Sequence, residues 1–245
     1  MREHRGCLQK RAVYLTFDLE RDYLRTGYVV PSSFEGVNHN VPRILDELQK
    51  RHASGTFFLT PEVIQNCEDV VRDVRRRHAV GLHSHAYYQC EFKGWEEDGD
   101  SFKNYTPDEK KRMILRDIEL YRDYLGEPKL FRIGRLEPDQ TVLRMISEAG
   151  CLYDSSYHAS KYNLLRKLRV MVSYDFQEVP VNFHLYGLEP RHMKGGRPVI
   201  LIHPITTPGK NDPEVYDEQN LMRIIDTSSQ RCELKDLMKY SEGLL

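Results

Sequence analysis

From Ala12 to Pro204 short apolar runs alternate with longer segments of helical period. The runs are AVYLTF (12–17), GTFFL (55–59), VGLHSH (80–85), KLFRI (129–133), EVPV (178–181) and VILIH (199–203). Each has strand length and is rich in aliphatic or aromatic side chains. The clearest helix starts at Thr106, where a hydroxyl N-cap, Pro107 at the first helical position and Glu109 at the third form a capping box. Ile114, Ile118, Tyr121 and Leu125 then recur on one face, and Gly126 supplies the stop. Similar stripes run through Ile44, Leu45 and Leu48, and through Val142, Met145 and Ile146, while the tail from Cys232 to Leu245 reads as a final docking helix. No repeat or Ser/Gly-rich linker divides the pattern. It predicts one α/β domain over residues 1–245, built on a parallel sheet that is either open or closed into a barrel.

Composition narrows the partners. The 245 residues carry 36 basic and 37 acidic side chains, a net charge of −1. That leaves no cationic surplus for a phosphate backbone or an anionic bilayer, so neither nucleic acid nor membrane is expected, and a small or neutral partner is. Five cysteines without CxxC spacing suggest reduced thiols rather than a disulfide framework or a zinc knot. The basic segment Met1–Arg11 is followed by an apolar run that Asp18 interrupts too soon for a signal peptide. No segment approaches the roughly 20 apolar residues of a membrane span. A soluble, cytoplasmic protein is the expectation.

Parallel α/β sheets bind ligands beyond the carboxyl ends of their strands. Those ends carry Asp18 and Glu20, His83 and His85, Arg132, and His203. Positions i and i+2 of a strand share a face, which puts Asp18 with Glu20, and His83 with His85 and Tyr87. Carboxylate plus imidazole is a ligand set for zinc or another divalent cation, and three protein ligands leave a place for the water that hydrolysis needs. Alone, a strand-end Asp is more often a helix cap, and a His-x-His pair is as often solvated as ligating. Their joint placement is what points to a metal. Trp95 and the acidic run to Asp100 read as a loop that can rim the site, and Arg75–Arg77 as the basic end of a helix. His158, His184 and His192 read as ordinary surface or core histidines.

Seven short tags occur in order: Leu15-Thr16-Phe17-Asp18, Gly55-Thr56-Phe57-Phe58, His78 to His85, Phe131-Arg132, Tyr153-Asp154-Ser155-Ser156, Glu178-Val179-Pro180-Val181 and Leu201-Ile202-His203-Pro204. Together they resemble the landmarks of the polysaccharide deacetylases, carbohydrate esterase family four, over roughly residues 12–206. The resemblance implies a distorted (β/α) barrel with about seven parallel strands, fewer than the eightfold barrel. It also implies metal-assisted removal of an acyl group from an amide, commonly N-acetylglucosamine in a polymer. Asp18 inherits the role of general base, and His203 that of the general acid that protonates the departing amine. Arg132 and Asp154 match the residues that orient and tune that base and that histidine.

The departures are as specific as the matches. Family members usually open with Asp-Asp, whereas Leu19 follows Asp18 here and the next acid is Glu20. The second-motif histidine four residues after His83 is Tyr87, a poor zinc ligand, so His85 is the candidate to replace it and Glu20, His83 and His85 form the expected metal set. Zinc is the first choice, with cobalt, nickel or manganese as alternatives. Where the family has Arg-Pro-Pro-Tyr, with a backbone N–H that helps hold the oxyanion, this chain has Arg132-Ile133-Gly134-Arg135. Arg135 can add charge there or select an anionic substituent, and Tyr87 and Trp95 are candidates to stack a sugar. Two alternatives to an amino-sugar or oligosaccharide deacetylase stay open: hydrolysis of a small non-sugar amide, and a metal-free module that binds carbohydrate or a partner.

Overall fold

The structure is a computed structural model and describes residues 11–22, 34–86, 102–168, 174–185, 198–204 and 218–239. In chain order the strands are β1 (Arg11–Leu19), β2 (Thr56–Leu59), β3 (Ala79–Ser84), β4 (Leu130–Ile133), β5 (Tyr153–Asp154), β6 (Gln177–Glu178), β7 (Phe183–His184), β8 (Val199–Ile202) and β9 (Cys232–Lys235). The helices are α1 (Val41–Lys50), α2 (Pro61–Asn66), α3 (Glu68–Arg75), α4 (Pro107–Leu125), α5 (Gln140–Glu148), α6 (Ala159–Leu168) and α7 (Glu218–Arg231). The main path of the sheet runs β6-β5-β4-β3-β2-β1-β8-β7, and every pairing is parallel.

This order forces the sheet to curl. β6 and β7 lie at opposite ends of the path, yet only Val179–Asn182 separate them in sequence. Five residue steps reach at most about 17 Å, whereas the outer strands of a flat eight-stranded sheet would stand roughly 34 Å apart. The result is an α/β half-barrel: the strand pattern allows an open or a closed parallel sheet, and the family resemblance implies the barrel.

Strand parity then sorts the side chains. Val13, Leu15, Phe17 and Leu19 of β1 pack outward with Ile44 and Leu48 of α1. Ala12 and Tyr14 point inward, where they meet Phe58, Leu130, Val199, Leu201, Val179 and Val181. The lower interior is thus hydrocarbon, and the same parity carries Asp18 and Glu20 into the upper interior. Gly81 belongs to this lower layer: a Cβ there would stand 2.8 Å from both Leu130 Cβ and the Phe58 ring. Gly81→Ala is expected to destabilise the protein by about 1–3 kcal/mol through overpacking; an unchanged thermal melt would mean that the interior has slack at that level.

Thr106 caps α4 through the capping box read from sequence, and Gly126 closes the helix at φ 85°. The tail departs from expectation. Instead of a docking helix, Cys232–Lys235 form β9, which pairs with Arg11–Tyr14 of β1, ahead of Thr16 where β2 joins that strand. Backbone groups at the start of β1 need partners, and β9 supplies them. The N–H groups of Asp236 and Leu237 then donate to Ser54 Oγ and Thr56 Oγ1, at 3.1 and 2.8 Å, pinning the chain to the start of β2. EVPV also departs: only Gln177–Glu178 form a strand, and Val181 makes an isolated bridge to His158.

Candidate active site

The ends of β1, β3, β4 and β8 converge on one polar cluster. Arg132, fully buried in β4, donates from Nη1 to Asp18 Oδ1 at 2.6 Å, from Nε to the Ser155 carbonyl at 3.1 Å and from Nη2 to Ser155 Oγ at 2.8 Å. Its guanidinium carbon lies 4.2 Å above the Phe58 ring, a further favourable contact for a desolvated cation. Burial alone would raise the Asp18 carboxyl, but the attraction of Arg132, with smaller help from His83 and His203, outweighs it and holds Asp18 below the usual range. Asp18 is therefore an anion with one oxygen committed to Arg132 and Oδ2 turned toward the histidines.

His83 Nδ1–H donates to the Arg132 carbonyl at 3.0 Å. A carbonyl can only accept, so the proton sits on Nδ1 and Nε2 presents its lone pair. Burial pushes His83 down to about 4, against the pull of Asp18, which keeps the ring neutral at pH 7. His83 Nε2 lies 3.0 Å from His85 Nε2, 3.6 Å from Asp18 Oδ2 and 3.9 Å from Glu20 Oε2, and His85 Nε2 lies 3.0 Å from the same Glu20 oxygen. Burial opposes ionisation of Glu20, yet His85, His203 and His83 together bring it down to about 2.

This donor set fits a divalent cation. Glu20, His83 and His85 each offer a ligand atom within 4.8 Å of the others. A proton on His85 Nε2 could go to His83 Nε2 or to Glu20, but not to both, whereas a cation between them would take all three lone pairs. The bond from His83 Nδ1–H to a carbonyl is the outer support that ligating histidines use.

His203 completes the ring, with Nε2 3.8 Å from Asp18 Oδ2 and 3.7 Å from Glu20 Oε1. Asn40, buried just ahead of α1, donates from Nδ2 to the Pro204 carbonyl at 3.2 Å and so ties down the segment that carries His203. The His203 side chain keeps 18% exposure, against 3% for Asp18 and 2% for Glu20, so the cluster opens on the His203 side.

Other candidates fall elsewhere. Asp154 makes no ion pair with His203 among the described residues. It is fully buried on β5, accepts from Ser156 Oγ at 2.5 Å, and lies in register with Glu178 of β6. Burial raises Asp154 to about 6, and burial together with the neighbouring carboxyl raises Glu178 further above its ordinary value. Burial thus holds both acids above their ordinary values, with the Arg132 charge pulling each back down. Arg135 is exposed at the mouth, with its backbone in the left-handed region at φ 59°. Tyr87 and Trp95 lie outside the described residues. Sequence reasoning passed over His184, whose ring stacks 6.5 Å from His203 and 6.2 Å from His158, and Ser155, the partner of Arg132. Ser155 stands inside a quoted tag; His184 carries no signal, because only the two-residue strand β7 brings it to the rim.

Residues 5–153, more than half of the chain, match the family model for polysaccharide deacetylase. The chain belongs to the polysaccharide deacetylase family. Solved structures share the fold at low identity. A Mycobacterium smegmatis protein assigned as a polysaccharide deacetylase aligns with a TM-score of 0.64 and 17% identity, over 96% of this chain and 90% of its own. The peptidoglycan N-acetylglucosamine deacetylase Bc1960 gives 0.57 and 18%, over 93% and 86%. The peptidoglycan deacetylase PdaC of Bacillus subtilis gives 0.57 and 15%, over 95% and 91%. No curated protein matches this family member in sequence.

Proposed function

We propose that the chain is a metal-dependent hydrolase that removes an acyl group, acetyl first, from the amide nitrogen of an amino sugar or oligosaccharide. One observation carries this reading: three ligand atoms, Glu20 Oε2, His83 Nε2 and His85 Nε2, converge beside a carboxylate that Arg132 keeps ionised. Glu20, His83 and His85 would hold a divalent ion, which would supply a Lewis acid for the acyl carbonyl and for water.

The chain's own residues then divide the proton work. Asp18 Oδ2, free of the arginine, takes a proton from the attacking water. Arg132 stabilises Asp18 as an anion and fixes its orientation, so no reorganisation is needed when the proton moves. His203, on the open side of the cluster, gives a proton to the departing amine, which is too poor a leaving group as an anion. The low pKa of Glu20 keeps a second negative charge at the site at neutral pH. The peptidoglycan substrates named for two structural neighbours make N-acetylglucosamine oligomers the first class to assay.

The protein, after incubation with zinc or cobalt and removal of excess, is expected to carry one equivalent of metal by elemental analysis and to release acetate from chito-oligosaccharides. His83→Ala is expected to lose both. A wild-type protein that stays metal-free and silent across N-acyl sugars and simple amides would favour a binding module over an enzyme.

A further inference from the structure

Two histidines at i and i+2 of one strand leave the backbone side by side, so bringing both Nε2 atoms to one point requires each ring to be steered separately. At the end of β3, with His83 in the strand and His85 just beyond it, the two rings stand edge-to-face, 88° apart with centroids at 4.6 Å. His83 is steered by a hydrogen bond to the Arg132 carbonyl. His85 is steered by a shape. Its ring lies against Gly134, two residues further along the same chain segment, where a Cβ would fall 2.4 Å from Nδ1, 2.5 Å from Cε1 and 2.6 Å from Cγ of the imidazole.

Gly134 is not a glycine for backbone reasons. Among the described residues the positive-φ glycines are Gly126 and Gly150, and Gly134 adopts a conformation open to any residue. Its buried, bare Cα is instead the floor on which the His85 ring rests. The end of β4 and the residue after it thus template both imidazoles, one through a carbonyl and one through a missing side chain.

We infer that Gly134 is a positioning residue for the metal site, seating His85 so that its Nε2 meets His83 and Glu20. The inference rests on the metal reading above and adds what makes a His-x-His pair workable in this chain. Any side chain at position 134 pushes the His85 ring out of the cluster.

A double-mutant cycle tests it with two readouts, cobalt(II) affinity by chelator competition, with its visible absorption spectrum, and the melting temperature of the metal-free protein. Gly134→Ala is expected to weaken cobalt binding about 10- to 100-fold, the usual effect of losing outer-shell support, to alter the cobalt spectrum and to lower the melting temperature. In a His85→Ala background, where the ring is gone, adding Gly134→Ala is expected to change neither affinity nor melting temperature. Wild-type binding with an unchanged Gly134→Ala affinity and spectrum would overturn the role of Gly134 while leaving the metal site intact. Absence of cobalt binding in the wild type would remove the metal reading and this inference with it. Should Gly134→Ala prove too unstable to titrate, the melting cycle decides: a double variant as destabilised as Gly134→Ala alone would show that the clash is not with His85.

Discussion

Asp18→Asn is expected to bind metal as the wild type does and to lose roughly 10²- to 10⁴-fold in acetate release, the range for removal of a general base. The substitution keeps the shape of the side chain. The amide oxygen can still accept from Arg132 Nη1, now 2.6 Å from Oδ1, and the amide nitrogen then occupies the position of Oδ2, which faces His83 at 3.6 Å and His203 at 3.8 Å. An amide nitrogen cannot take a proton from water, so the base is lost without loss of the ligands Glu20, His83 and His85. Metal content and turnover measured on the same preparation separate the two effects. Turnover within a few-fold of wild type would take Asp18 out of the mechanism.

The second large effect is on stability. Arg132→Met keeps much of the volume and removes a fully buried cation. Breaking a buried ion pair from one side leaves the other charge desolvated and costs about 3–5 kcal/mol. The sign of the pH dependence follows. In the wild type Asp18 has a folded pKa below its unfolded value, so its contribution is present above that unfolded value and is lost as the pH falls through the folded one. Without the guanidinium, burial keeps only the smaller opposition of His83 and His203, the folded pKa of Asp18 moves up, and the stability that the ionised carboxylate contributes above its unfolded pKa shrinks. The deficit of the metal-free variant, read by denaturant unfolding, is therefore expected to be larger at pH 7 than at pH 4. An equal deficit at both values would assign the stabilising role of Arg132 to Ser155 and Phe58 rather than to Asp18.

What could be read from sequence was local. The apolar alternation of β1, the capping box at Thr106 and the strand-end positions of Asp18, Glu20, His83, His85, Arg132 and His203 all follow from spacing within one element, and the structure brings those six to one mouth. What escaped depends on pairing between distant segments. β5, β6 and β7 have two residues each, too few to show any period. The neighbourhood of Asp154 and Glu178 is set by their register across two such strands. Cys232–Lys235 become a strand because β1 has unpaired backbone there, a fact invisible in the tail's own residues. The fit of His85 against Gly134 is a contact between side-chain shape and bare backbone 49 positions apart, which no short motif records.

The alternation in β1 has a consequence for how this chain can vary. Phe17 and Leu19 belong to the outer layer while Asp18 and Glu20 belong to the interior, on a strand held by neighbours along most of its length. A point substitution there perturbs one side chain. A single-residue insertion or deletion between Tyr14 and Phe17 would invert the phase of everything after it, turning both acids into hydrocarbon and two large apolar groups toward the reaction centre. Length variation among natural relatives should accordingly stop at the borders of this strand.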